Sequence, residues 1–462
     1  MNGNDIAELG FQGKTIGLAL EAARSRVRAG ATNQDVRTEL AHVHHKPEAF
    51  LSDANYARLA QELVAARAPV PDALLDKPLP YRVWGEHLVE QAARAQMDTA
   101  MRLPISVSGA LMPDAHVGYG LPIGGVLATN NAVIPYGVGV DIGCSMRLSV
   151  LPIEKIPHAD EVKLLKKHTR FGAGGKWDRK ERPDHDVLDE PTWTQHSLLR
   201  HLRDKAAEQI GTSGSGNHFV EFGTLTLERD DLGLEAGEYV ALLSHSGSRG
   251  FGAQVAGHFT RVAEKLHARL DPGARKLAWL DMDAEDGQAY WMAMELAGRY
   301  ALANHEVIHA RVAKALGVKP LASVTNSHNL AWRQRLADGR DVIVHRKGAT
   351  PAAEGQLGII PGSMADPGFV VRGLGNAGAL ESASHGAGRQ MGRKQAANTL
   401  AKRDVQAYLE ERGITLLGGG IDEAPQAYKR IEDVLKEQQD LVEVVARFMP
   451  RVVRMDSGKE DI

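Results

Sequence analysis

Cysteine is the scarcest residue of this sequence: Cys144 stands alone among 462 residues. A single thiol excludes an intramolecular disulfide and fits a reducing compartment. Long apolar runs are missing as well, and none reaches the roughly 20 residues that a membrane-spanning helix requires. The opening stretch, MNGNDIAELGFQGKTIG, has no basic segment followed by an apolar one. No signal peptide is therefore expected, and a soluble, cytoplasmic protein is. Charge of one sign is equally scarce, with 55 Lys and Arg against 58 Asp and Glu and a net charge of -3. No global field draws the chain to nucleic acid, so any such site has to be a local patch of cations. Residues 163–182, KLLKKHTRFGAGGKWDRKER, form the densest patch, which by itself reads more simply as a solvated face.

Glycine, by contrast, is abundant, with 48 residues, many in short clusters between apolar runs. Apolar residues at 43% and charged residues at 24% are ordinary for a globular protein, and the length allows one large core or several. Residues 1–80 read as a helical N-terminal extension. Ile16, Leu20, Ala23 and Val27 recur at helical spacing, and 34–42 and 53–67 suggest two more helices. Pro69, Pro71, Pro78 and Pro80 then punctuate the chain, which sets a boundary there and a second domain over 81–462. Beyond the prolines, β-prone runs such as Gly124–Thr129, Tyr239–Leu243 and Asp341–His345 end in Gly- and Ser-rich turns. A helical block over 286–316 separates them, and the tail from 426 to 450 also reads as helical. Strands and helices alternate without a βαβ period or a repeat, which points to an α+β protein.

Chemistry-bearing groups sit in the glycine loops. Asp141 and Cys144 are three residues apart in GVGVDIGCS, close enough for a carboxylate and a thiolate to share a cation. His218, His245 and His328 each lie at the end of a β-prone run. A lone cysteine is more often a small buried hydrophobe and a lone histidine is usually structural. Together the five point to a metal cluster. Ligand softness favours zinc over manganese for a site with a thiolate, so spacing does not name the metal. HSGSRG (245–250) and SHGAGR (384–389) share a second design, with histidine, glycines, serine and arginine in one turn. Glycine lets backbone N–H groups approach an anion and arginine clamps its oxygens. Val255, Phe259, Val262 and Leu266 repeat at helical spacing after HSGSRG, so that loop should open a helix N-terminus suited to phosphate.

Two motifs point elsewhere. His305, Glu306 and His309 spell H-E-x-x-H within a helix, the signature of a zinc metalloprotease, but the motif is short and has no family-specific extension. GLGNAG (373–378) matches the dinucleotide fingerprint without the following βαβ unit or its acidic residue.

In order, MPDAHVGYGLPIGG, GVGVDIGC, GSGNHFVE, HSGSRG, HRKGA, IIPGSM, RGLGN, SHGAGR and EAPQAYK resemble the signature segments of the RtcB family of RNA-splicing ligases, from about residue 81 to about 455. The resemblance implies an RtcB-like catalytic domain with β-sheets around a metal-lined cleft, and two Mn2+ ions and GTP as cofactors. It implies Asp141, Cys144, His218, His245 and His328 as metal ligands, His385 as the histidine that takes GMP, and Asp114 as an essential residue near the metals. Asn217, Glu221, Asn329, Pro361, Gly362, Ser363, Met364, Gly386, Ala387, Gly388, Arg389 and Tyr428 would contact GTP, and Arg249 would hold an RNA phosphate. The implied substrate is RNA with 2',3'-cyclic phosphate or 3'-phosphate ends and 5'-hydroxyl ends. Alternatives are a family member that binds RNA ends or nucleotide without joining them, and the metalloprotease. One departure stands out. The family usually ends near V-K-G, whereas here RVVRMDSGKEDI sets Asp456 at the lysine's place, with Lys459 or Arg454 as replacements for the missing charge.

Overall fold

The computed structural model describes residues 1–66 and 72–457, so Pro69, Pro71, residue 67 and Lys459 lie outside the described residues. The chain forms two compact units, Met1–Pro71 and Asp72–Ile462. In the first, helices Lys14–Arg28, Asn33–His45 and Ala57–Ala66 follow a short one at Gly3–Ala7. Thr32 starts the helix Asn33–His45 by a reciprocal cap: its Oγ1 accepts from the Asp35 N–H, and Asp35 Oδ2 accepts from the Thr32 N–H. The unit has its own core, including Ile6, Phe11, Val36, Leu40 and Leu59. The helix Lys14–Arg28 buries Ala19, Ala22 and Ala23, whereas Val27 is 44% exposed, so the expected stripe is rotated toward the small residues.

The second unit is α+β. A five-stranded sheet runs in the order Arg82–Val83, Ser106–His116, Ile123–Thr129, Asp341–Lys347, Asn329–Arg335. The larger sheet runs Leu357–Ile360, Gly368–Gly373, Val442–Met455, Phe219–Leu227, Gly237–Ser246, Ser145–Val150, Ala322–Ser327, with Thr415–Leu417 beside Val442–Met455. Helices Arg249–Leu266 and Glu285–Leu316 supply much of the core, through Phe251, Val255, Phe259, Tyr290, Ala297 and Tyr300. The second of these, 32 residues and about 48 Å long, stops at Gly317, which takes the left-handed conformation that ends a helix. No helix among the described residues is long and apolar enough to cross a membrane.

The tail corrects the sequence reading. Only Ile431–Lys436 is α-helical, and Val442–Met455 is a strand paired on both sides. Its β-branched residues Val442, Val444, Val445, Val452 and Val453 favour a pleated surface, and tertiary pairing decides the outcome. Pro450 stands at the register shift between Pro450 and Val452, the kind of irregularity at which a strand tolerates proline. GLGNAG ends a strand and leads only into a turn of 3-10 helix at Ala377–Ala379, so no dinucleotide fold surrounds it.

A charged pair fastens this strand to the helix His158–His168. Arg451 Nε donates to Glu161 Oε2 at 2.9 Å and Arg451 Nη2 donates to Oε1, with the Glu161 side chain fully buried. Arg451→Met leaves that carboxylate without its cation and is expected to lower the unfolding free energy by about 3 kcal/mol. Urea denaturation reads the loss, and adding Glu161→Leu should recover most of it. An Arg451→Met protein as stable as its parent would show the pair to be idle.

Candidate functional site

Strand register builds the centre of the site. Phe219–Leu227, Gly237–Ser246, Ser145–Val150 and Ala322–Ser327 lie side by side, with Phe219 and Met146 both opposite His245 and Ser145 opposite Ser327. Four neighbouring strand ends therefore converge. His218 precedes the first, His245 lies near the end of the second, Cys144 precedes the third and His328 follows the fourth. The turn before Cys144 adds Asp141, whose carbonyl accepts from the Cys144 N–H at 3.2 Å.

Cys144 Sγ stands 3.1 Å from His245 Nε2 and 3.5 Å from His218 Nε2. His245 Nε2 is 3.2 Å from His328 Nε2, and His218 Nε2 is 3.0 Å from Asp141 Oδ2. Two triads result, Cys144–His245–His328 and Asp141–Cys144–His218, which share the sulfur. Ligands at normal bond lengths around one tetrahedral cation stand roughly 3.3–3.7 Å apart, so the spacing fits. Proton accounting agrees. His245 Nδ1 donates to the Asn217 carbonyl at 3.0 Å and His218 Nδ1 to the Ser213 carbonyl at 2.8 Å, which turns Nε2 of each ring inward. Burial, then His218 beside it, holds His245 well below the usual imidazole range, and burial, then His385, does the same to His328. Burial and the Asp141 charge push the Cys144 thiol up, a cost that a bound cation reverses. The residues present thus fit a divalent metal: three imidazoles, one sulfur and one hard oxygen.

A second pair adjoins the cluster. The His385 ring centroid is 5.0 Å from that of His328. Asp114, fully buried on Ser106–His116, accepts at Oδ2 from His385 Nδ1 at 2.7 Å, the His385 N–H at 3.0 Å and the Gly386 N–H at 3.3 Å. The anion gripped by this glycine turn is therefore a carboxylate of the chain itself. Burial alone would raise the Asp114 carboxyl; the hydrogen bond from His385 outweighs it and holds it below the usual range. Asp114 Oδ1 is buried without a hydrogen-bond partner. Gly388 has a φ of +72°, and a Cβ there would lie 2.0 Å from the Asp114 carbonyl oxygen, so no larger residue fits.

The other expected residues surround these. Arg249 begins its helix at a φ of 59°, donates from Nε to Thr212 Oγ1 at 3.2 Å and from Nη2 to the Gly172 carbonyl at 3.0 Å, and is 8% exposed. The first helical N–H beyond it, at Gly250, is taken by Gln209 Oε1 at 3.0 Å. Asn329 spends its amide on the Asp141 carbonyl at 3.3 Å and its oxygen on the Gly348 N–H at 2.7 Å. Glu221 is buried and shares a strand face with Phe219; burial raises its carboxyl well above the ordinary range. The turn Pro361–Met364 meets the His385 loop, with a Cβ at Gly386 3.3 Å from the Pro361 carbonyl. Ser363 Oγ bonds Asp366, and Met364 packs into a hydrophobic cluster. Ala387 is buried. Arg389 turns to Glu423 and Tyr428, at 3.1 and 3.2 Å.

Other features are resolved too. His305 and His309 are bound by serine hydroxyls, while Glu306 is half exposed beside His185, so no metalloprotease triad forms. Lys347 was missed by sequence reasoning. It is buried opposite Asn329, donates to the carbonyls of Tyr119 at 2.5 Å and Tyr136 at 3.2 Å, and burial pulls its pKa down to about 7. A lysine within the apolar run VIVHRKGA was the available signal. At the tail, Arg454 donates to Leu165 and Thr169 and is not free, whereas Asp456 lines a cavity of about 430 Å³ with Ser215, Gly216, Arg393, Asp422 and Glu423.

Comparisons with known proteins converge on one family. The family model described as tRNA-splicing ligase RtcB matches residues 96–169 and 159–456. The RNA-splicing ligase RtcB of Escherichia coli (strain K12) is 32% identical over 79% of this chain and 95% of its own. The tRNA-splicing ligase RtcB of Nanoarchaeum equitans is 32% identical over 80% and 92%. The RNA-splicing ligase RtcB of Mycobacterium tuberculosis is 34% identical over 73% and 94%.

Because both triads share its sulfur, Cys144→Ala is expected to strip most divalent metal from the purified protein while leaving its far-UV circular dichroism unchanged. Elemental analysis measures this, and undiminished metal content would make Cys144 a buried hydrophobe only.

Proposed function

The chain belongs to the RtcB family, and on that premise we propose that it is an RNA ligase that joins 2',3'-cyclic phosphate or 3'-phosphate ends to 5'-hydroxyl ends through a guanylylated His385, using GTP and two Mn2+ ions. One observation carries the reading: the His385–Asp114 hydrogen bond of 2.7 Å, set directly beside the five-donor cluster. With Nδ1–H donated to Asp114, His385 keeps its Nε2 lone pair for attack.

In the proposed reaction Nε2 attacks the α-phosphorus of GTP, the bond to pyrophosphate breaks, and a phosphoramidate forms. The RNA 3'-phosphate then attacks that phosphorus and releases the imidazole. Finally the 5'-hydroxyl attacks the activated 3'-phosphate and GMP leaves. A cyclic end is first opened by water. Asp114 orients the ring throughout and stabilises the positive charge it gains. Asp141, Cys144, His218, His245 and His328 would hold the two ions, which offset charge on the transferring phosphates. The sulfur shared by two triads supports two ions over one; the soft donors suit zinc as well, so manganese rests on the family. Arg249 is proposed to hold the RNA phosphate.

The cavity beside the cluster is proposed to take the base. Guanine offers N1–H and N2–H donors on one edge, and Asp456, the residue at the family's lysine position, is an acceptor facing that cavity. Asn217, Glu221, Asn329, the turn Pro361–Met364, Gly386–Arg389 and Tyr428 are proposed as the remaining nucleotide contacts.

Incubation with α-labelled GTP and Mn2+ tests the reading. Label on the protein, lost in His385→Ala and competed by GTP but not ATP, is the expected result. Transfer of the label to an RNA 3'-phosphate completes it. A folded protein that takes no label would be a family member that binds without joining, and full labelling of His385→Ala would remove the nucleophile.

A further inference from the structure

The H-E-x-x-H segment of the long helix brings no metal-capable triad together, yet its histidines reach the strands that carry the metal donors. His305 Nε2 faces only acceptors, the Ser145 carbonyl at 3.0 Å and the Ser246 carbonyl at 3.2 Å, so it bears the ring proton. His305 Nδ1 must then accept, and Ser244 Oγ donates to it at 2.6 Å. Ser244 Oγ in turn accepts from His309 Nε2 at 2.7 Å, which leaves His309 Nδ1 to accept from Ser149 Oγ at 2.8 Å. Ser323 Oγ, 3.1 Å from Ser149 Oγ, closes the series by donating. One tautomer of each ring satisfies every member. Burial lowers His305 to about 4 and His309 well below the usual range, so both rings stay neutral.

One end of the series rests on backbone carbonyls and the other on the Ser323 hydroxyl, so no titrating group terminates it. What it does is fix position. Ser145 follows Cys144, and Ser244 and Ser246 flank His245, so one helix holds the backbone on both sides of the 3.1 Å Cys144–His245 approach. Asn304, one residue earlier, extends the grip to the neighbouring loop: it accepts from the Gly211 N–H at 2.7 Å and donates to Ser246 Oγ at 3.0 Å.

We propose that His305 and His309 are positioning residues of the metal site, clamping the two strands so that Cys144 and His245 meet on one cation. The inference rests on the reading of the cluster as a metal site. Groups that orient metal ligands typically contribute about 10–100-fold to affinity.

The test uses cobalt(II) as the probe and the full chain, with affinity and the sulfur-to-cobalt charge-transfer band as readouts. His305→Phe keeps the ring and removes the donor, and should weaken cobalt binding at least about 10-fold and diminish the band. His305→Gln, which can present an amide N–H near the same place, should restore most of both. Ser244→Ala, a smaller change that uncouples the two rings, should act in the same direction and serves if His305→Phe does not fold. Val312→Ala, a core truncation on the same helix, should lower the melting temperature and leave cobalt binding alone. Equal affinity and an unchanged band in His305→Phe or Ser244→Ala overturn the inference while the metal reading stands. Failure of the unsubstituted chain to bind cobalt overturns both.

Discussion

Five electron-rich groups meet in a space nearly closed to water, and the rest of the site follows from what that convergence requires. Lone pairs of three imidazoles, a sulfur and a carboxylate, with neighbours 3.0–3.5 Å apart, repel one another unless positive charge stands among them. No single loop can impose such a geometry. Four adjacent strands impose it jointly, because sheet pairing fixes where each strand ends relative to its neighbour. The hydrogen bonds behind the cluster, from the outer ring nitrogens of His245 and His218 to the Asn217 and Ser213 carbonyls, decide which nitrogen faces inward.

The glycine loops look alike in sequence and behave differently in space. SHGAGR wraps an internal carboxylate, and that wrapping is what aligns His385. HSGSRG opens a helix as its spacing indicated, but its arginine turns back to Thr212 and Gly172, and the next N–H is already paired. A pattern of glycine, serine and arginine thus reports an ability to bind an anion and says nothing of which anion it finds.

This difference marks how far the sequence could be read. Spacing set the three histidines at strand ends, where the structure has them, and marked the long helix and the loop that begins at His245, since each leaves a local trace. The strand Val442–Met455 was hidden because its proline and its charged residues obscure alternation, and only its neighbours on both sides make it a strand. Partnerships were hidden for a stronger reason. Asp114 and His385 are 271 residues apart, and nothing local ties an MPD segment to an SHG segment. Lys347 looked like any strand lysine until burial and two carbonyls gave it a place. The H-E-x-x-H segment shows the converse, a local signal whose meaning the tertiary structure changed from ligand to support.

Arg249 carries a consequence for how this protein can vary. A side-chain-bearing residue in the left-handed region costs on the order of 1 kcal/mol relative to glycine, and Arg249 adopts it at the mouth of a helix with its guanidinium nearly enclosed. Selection for folding alone would therefore favour glycine at this position, and selection for an enclosed cation beside Asp141 would oppose it. The two pressures pull in opposite directions at one residue. A copy of this gene freed of any demand for that cation could settle the conflict in favour of stability, so exchange of the arginine for glycine would mark a lineage that has kept the fold and dropped the enclosed charge.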